Sequence, residues 1–170
     1  MKASKLIIAA LIAASSSANA ANELISEYNN FVVDYNGTYL TTISKPIDVQ
    51  FSNHPAKAYT RHYHDMSGGL RFQIDGLQSC DSMPVSGFHN GEPTKQVLKV
   101  NGQIVRFERY CVINANSITY QYSPASDRGT EYVVQQLSNA DSVTFKGKGV
   151  DVTFNTDGFK QAFEEIKGAM

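Results

Sequence analysis

The sequence predicts an α+β fold, mainly antiparallel β-sheet built from hairpins and flanked by an N-terminal and a C-terminal helix. Three observations lead there. Lys95–Ile113 holds two runs of branched and aromatic residues around Asn101-Gly102, the pair that best suits a two-residue type I′ turn, because both positions need φ > 0. Ser142–Phe145 and Val150–Phe154 repeat the pattern around Lys146-Gly147-Lys148-Gly149. Apolar residues recur at helical spacing only near the two ends of the chain and between the hairpins.

The first twenty residues read as a secretory signal, which leaves a single exported α+β domain over residues 21–170. Lys2 and Lys5 form its charged start, Leu6–Ala14 its short apolar run and Ala18-Asn19-Ala20 its cleavage site. The apolar run is too short to span a bilayer, and no later run in the mature chain is a transmembrane segment.

Ala21–Val33 follows, where Leu24, Ile25, Tyr28, Phe31 and Val32 fall on one helical face and Asn22 is placed to cap it. Asp34-Tyr35-Asn36-Gly37 then reads as a turn. Thr38–Ser44 and Ile47–Ser52 alternate as strands, broken by Lys45-Pro46, and Pro46 belongs at an edge or a strand start because it has no N–H to donate. Ala58–His64 and Leu70–Ile74 are the next strands, the second with Leu70, Phe72 and Ile74 on one face and Arg71, Gln73 and Asp75 on the other.

Gln78–Thr94 has no periodicity and is the one long irregular stretch. In the hairpin after it, the two-residue turn sets Val100 opposite Gln103, Leu98 opposite Val105 and Gln96 opposite Phe107. Leu98, Val100, Val105, Phe107, Cys111 and Ile113 then share one face, and a slip of one residue would bury the charged set instead. Arg109 interrupts that face. An inward arginine needs a partner, or a strand that has reached the edge of the core.

Ser117–Tyr122 is a further strand. Ser126–Ser138 fits either period, and its small polar start and Gln135-Gln136-Leu137 favour a helix, although Gly129 costs about 1 kcal/mol there. The closing helix has Thr156 as a candidate cap, Asp157 in its first turn, a stripe of Phe159, Phe163 and Ile166, and Gly168 where it should stop.

Charge excludes some partners. Without Lys2 and Lys5 the mature chain carries 13 basic and 16 acidic residues, alternating along its length. No basic stripe marks a nucleic-acid footprint, and no polybasic cluster marks an anionic membrane surface. Cys80 and Cys111 are the only two cysteines, and in an exported chain they predict a disulfide.

Chemistry-bearing patterns are few. His62 and His64 alternate on a strand, point to one face about 7 Å apart and are candidate metal ligands if His54, Asp65 or His89 supplies a third. The opposing reading is a solvated sheet face, and no metal and no cofactor is expected. No Gly-x-Ser-x-Gly elbow or comparable nucleophile setting exists, so a hydrolase would need an unrecognised site. The reading preferred on residues alone is a non-enzymatic exported protein that binds another protein or an envelope component. Met83, Phe88 and His89 on the irregular stretch are its candidate contacts, with Arg109 and Tyr110 brought near by the disulfide. The nine tyrosines fit recognition, since each offers a large rigid surface with a polar tip.

Phe154-Asn155-Thr156-Asp157-Gly158-Phe159-Lys160-Gln161-Ala162-Phe163, a strand running into a Gly-Phe-x-x-Ala helix, resembles the ending of small exported bacterial proteins of the invasion-associated locus B type. It is similar also to the ending of periplasmic accessory proteins of type VI secretion. The chain lacks the tryptophan and further cysteines of those groups. The resemblance implies a bacterial periplasmic or secreted binding-type domain and carries over no functional residue.

Overall fold

A computed structural model describes residues 23–35, 40–51, 54–63, 69–77, 80, 93–114 and 117–169. Among the described residues eleven strands and two helices succeed one another. They are β1 (Glu23–Tyr28), β2 (Phe31–Tyr35), β3 (Leu40–Ser44), β4 (Ile47–Phe51), β5 (His54–Tyr63), β6 (Leu70–Asp75), β7 (Thr94–Val100), β8 (Gln103–Asn114), β9 (Ser117–Pro124), α1 (Asp127–Asn139), β10 (Ser142–Gly147), β11 (Val150–Asn155) and α2 (Phe159–Ala169). The strands make one sheet in the order β1-β2-β3-β5-β6-β9-β8-β7-β10-β11, and β4 also pairs with β5. The proposed signal, residues 1–20, lies outside the described residues.

The sheet is strongly curled. β6 and β10 are four strands apart in the order, which in a flat sheet would put them roughly 19 Å apart. Yet the Phe72 and Phe145 rings stack with centroids 4.7 Å apart. Phe72 also stacks on Tyr122 and meets Phe154 edge-on, so the concave face closes on an aromatic centre. Most of the expected inward set is buried there, Leu70, Phe72 and Ile74 of β6 and Leu98, Val100, Val105 and Phe107 of the β7–β8 hairpin, while Cys111 and Ile113 are only half-buried.

That hairpin has the predicted register residue for residue. Asn101 and Gly102 take φ of 46° and 87°, the left-handed values that a type I′ turn requires. The ambiguous segment is a helix, α1, capped by Ser126, whose Oγ accepts from the Gly129 N–H at 3.2 Å. Val133 and Leu137 are its buried residues, and it packs on β9, β10 and α2.

The N-terminal helix expected over Ala21–Val33 is not formed; the described part of that stretch is the β1–β2 hairpin. Tyr28 pairs with Phe31 across Asn29-Asn30, and Asn29 adopts φ 35°. Apolar residues at 28, 31 and 32 satisfy a helix face, but the turn is held by groups far along the chain. Asn30 N–H donates to the Asp157 carbonyl and Asn29 Nδ2 to the Asp157 carboxylate. Of the turn expected at Asp34-Tyr35-Asn36-Gly37, the first two residues belong to β2 instead, and Asn36-Gly37 lie outside the described residues.

The helix α2 lies against β1, β2 and β3, with Phe159, Ala162 and Ile166 buried. It runs through Gly168 to Ala169. The Thr156 hydroxyl does not cap it but donates to the Ala140 carbonyl, while the Thr156 carbonyl accepts from Phe159 N–H. Glu165 accepts from Ser26 Oγ at 2.8 Å and Tyr28 Oη at 2.5 Å, tying the helix to β1. Burial matters less than this partner in holding the Tyr28 phenol above its ordinary pKa.

Candidate functional site

Cys80 and Cys111 are joined, with Cα atoms 6.1 Å apart. The bridge fastens the chain just after β6 to the far part of β8, and Leu77 N–H, donating to the Ile118 carbonyl, anchors the same end. Cys111 pairs with Tyr120, a buried residue, so the disulfide sits on the concave side where β8 runs past the core.

Arg109 and Tyr110, expected to stand together beside the disulfide, are on opposite faces, because consecutive strand residues alternate. Arg109 shares the concave face with Cys111. Its guanidinium lies 4.4 Å from the centroid of the Tyr120 ring, and its Nε donates to Thr94 Oγ1 at 3.1 Å. The cation–π contact and the Thr94 hydroxyl are among the partners that hold this inward arginine.

Tyr110 faces outward, into an array that spans four strands. Tyr59 of β5 pairs with Gln73 of β6, Gln73 with Gln121 of β9, and Gln121 with Tyr110 of β8. Beside this row Arg61 pairs with Arg71, placing two guanidinium side chains on directly opposed positions. Hydrogen bonds fix the array. Arg71 Nη1 donates to Gln121 Oε1, Tyr59 Oη to Asp75, Thr119 Oγ1 to Asp75 and Tyr110 Oη to Glu108. Burial, then the bond to Glu108, raises the Tyr110 pKa, so its hydroxyl is a donor at any physiological pH.

Gln73 is 3% exposed although it points away from the core, and its Oε1 has no hydrogen-bond partner among the described residues. An orphaned buried acceptor costs about 1–3 kcal/mol unless something satisfies it. The array is held by these hydrogen bonds and is amphipathic. Two opposed arginines are mutually destabilising unless neighbours or a ligand offset them.

His62 is not on a solvated face. It is 8% exposed, turned under α2, with its ring edge-on to Phe163 at 5.1 Å. Thr42, Ser44 and Thr60 are buried on the same concave side, and Ser44 Oγ accepts from Thr60 N–H at 2.9 Å, where β5 passes from pairing with β4 to pairing with β3. His64, Asp65, His89, Met83 and Phe88 lie outside the described residues, as does the side chain of His54. Among the described residues no three His, Cys, Asp or Glu side chains gather to hold a metal ion.

Reading the sequence alone misses Tyr59, Arg61 and Gln121 as parts of one surface. The alternation of Arg71, Gln73 and Asp75 is visible along β6, but its neighbours depend on a strand order that no local signal specifies. Comparison with family models, curated proteins and solved structures finds no match to this chain.

Proposed function

We propose that the chain is an exported, non-enzymatic protein that binds another protein, or an envelope component, across the outward face of β5, β6, β9 and β8. The observation that carries this reading is the in-register row Tyr59–Gln73–Gln121–Tyr110 beside Arg61–Arg71. Tyrosine and arginine dominate binding energy at protein interfaces, because each brings large contact area and a polar group with little ordering cost once held. Here the phenols are already held by Asp75 and Glu108, so docking a partner orders little more.

Export is supported by the Cys80–Cys111 bridge, a form that reducing compartments disfavour. No helix among the described residues is long and apolar enough to cross a membrane. The β10–β11 hairpin running into α2 is the ending that resembles the exported bacterial groups named above.

The test is capture from an envelope extract with wild type and with the variant Tyr59→Ala, Arg71→Gln, Tyr110→Ala. The partner captured by wild type is expected to be lost by the variant while its secondary structure is kept. Equal capture by both refutes the assignment of this face.

A further inference from the structure

The pairing of β8 changes along its length. Residues 110–114 pair with β9 alone and 107–109 lie between β9 and β7, but β9 stops at Pro124, paired with Phe107. Proline has no N–H for the ladder, and the last cross-strand bond on that side runs from Ala125 N–H to the Arg106 carbonyl at 2.9 Å. From there the chain turns into α1. Residues 103–106 of β8 therefore have a neighbouring strand, β7, on one side only.

The open side carries usable backbone groups. In an antiparallel ladder consecutive residues direct their N–H and C=O to opposite sides. The Arg106 carbonyl faces the β9 side, so Ile104, two residues earlier, faces it too. Among the described residues no strand reaches Ile104 there, and its carbonyl accepts from the side-chain amide of Gln103 at 3.4 Å. An unpaired edge of this kind is the template on which extended peptides add as a further strand.

The space beside the edge is shaped and charged. A cleft of about 520 Å³ lies between Ile104–Arg106 and the start of α1, where Arg128, Gly129 and Tyr132 complete its wall. Gly129 allows the helix this close, since a β-carbon there would sit 3.3 Å from Pro124 and 3.4 Å from Val105. Arg106 and Arg128 are both exposed, and neither guanidinium has an ion pair or hydrogen bond among the described residues. Ile104 and Val97 are 60% and 55% exposed beside them, with Lys95 and Lys99 on the same outward face. Glu108 stands opposite Lys95, and Asp127 and Glu131 line the neighbouring cleft. In a chain of formal net charge −1, this corner is locally cationic and apolar.

We propose that this open segment of β8 receives an extended acidic segment of a partner protein, which adds to the sheet at Ile104 and places carboxylates on Arg106 and Arg128. The inference rests on the reading that the chain binds proteins, and it names a second contact and the chemistry that fills it. Main-chain bonds to Ile104 supply affinity without regard to sequence. The two arginines and the exposed Ile104 and Val97 select a strand that alternates acidic and aliphatic residues.

The probe is a short synthetic peptide alternating Glu and Val, compared with a Lys–Val peptide and with a Glu–Val peptide methylated on alternate backbone nitrogens. Binding is read by fluorescence anisotropy and by amide resonances of the intact exported protein. The Glu–Val peptide is expected to bind, to shift the Ile104 amide and to protect it from exchange. The Lys–Val and N-methylated peptides, and the variant Arg106→Gln, Arg128→Gln, should each weaken binding by about tenfold or more, the loss expected for a desolvated charge pair or for main-chain bonds. Both arginines are exposed, so the variant should keep its melting temperature. Undiminished binding of the N-methylated peptide, or an unmoved Ile104 amide, overturns strand addition. Binding to phosphatidylglycerol vesicles that the variant loses, with no peptide binding, overturns it in favour of a lipid site. If the outward-face variant still loses its captured partner in those cases, the failure belongs to this inference and not to the protein-binding reading.

Discussion

Gly158→Ala should be among the most damaging single-methyl changes in the molecule. Gly158 has φ +95°, and a β-carbon there would collide with the Tyr28 carbonyl, carbon and side chain. A left-handed backbone costs an alanine roughly 1–2 kcal/mol. The collision adds to that, because relieving it means moving a backbone carbonyl, which is not the free end of a side chain. Tyr28 flanks the β1–β2 turn and Gly158 leads into α2, so pushing them apart also strains the bond from Asn30 N–H to the Asp157 carbonyl at 3.1 Å. Losing that bond costs about 1 kcal/mol, and loosening the edge-on Phe31–Phe159 contact costs about another. The expected total is roughly 3–5 kcal/mol, a large share of the stability of an ordinary domain. Gly149→Ala is the control, since it has φ +74° with nothing within 4 Å and should cost only the backbone strain. Urea denaturation of both variants measures the difference, and hydrogen exchange should show the β1–β2 turn opening faster in Gly158→Ala alone. Equal losses in the two variants would refute the close approach of turn and helix.

Reduction of Cys80–Cys111, or replacement of both cysteines by serine, opens a loop of 31 residues and should lower stability by roughly 3–4 kcal/mol, seen as a fall in Tm of order 10 °C; an unchanged Tm would contradict it. Ser44→Ala leaves the buried Thr60 N–H without its acceptor, so a loss of about 1–3 kcal/mol in denaturant titration is expected, with faster exchange of the Thr60 amide. Tyr28 and Tyr110 both have raised pKa values, Tyr28 chiefly through Glu165 and Tyr110 chiefly through burial. Their contribution is complete below the unfolded value near 10 and is lost as pH rises through the higher folded values, so Tm should hold to about pH 9.5 and then fall. Lys146, raised by Asp151, adds to the same alkaline loss in every variant, and Tyr28→Phe should make the fall shallower.

The β7–β8 hairpin was legible to the residue because its information is local: Asn101-Gly102 fixes the turn and strict alternation fixes the register. The disulfide was legible for the simpler reason that Cys80 had one possible partner. The β1–β2 hairpin was not, since residues 28, 31 and 32 suit both periods and the deciding contacts come from Asp157 and Glu165, far along the chain. His62 and Arg109 show the same limit at single positions. Alternation says which neighbours share a face, but only the placement of α2 decides that His62 is covered. The outward array depends on β6 lying between β5 and β9, and the open edge on where β9 ends; neither is written in any one segment.

Site-specific photocrosslinking in the envelope tests the outward-face assignment most directly. Benzoylphenylalanine is introduced at Tyr59 or Tyr110, which face outward in one row, and at Thr153, an exposed position on β11 at the sheet's edge. The same partner band is predicted from positions 59 and 110 and none from position 153. A partner that crosslinks at 153 and at neither 59 nor 110 would contradict it.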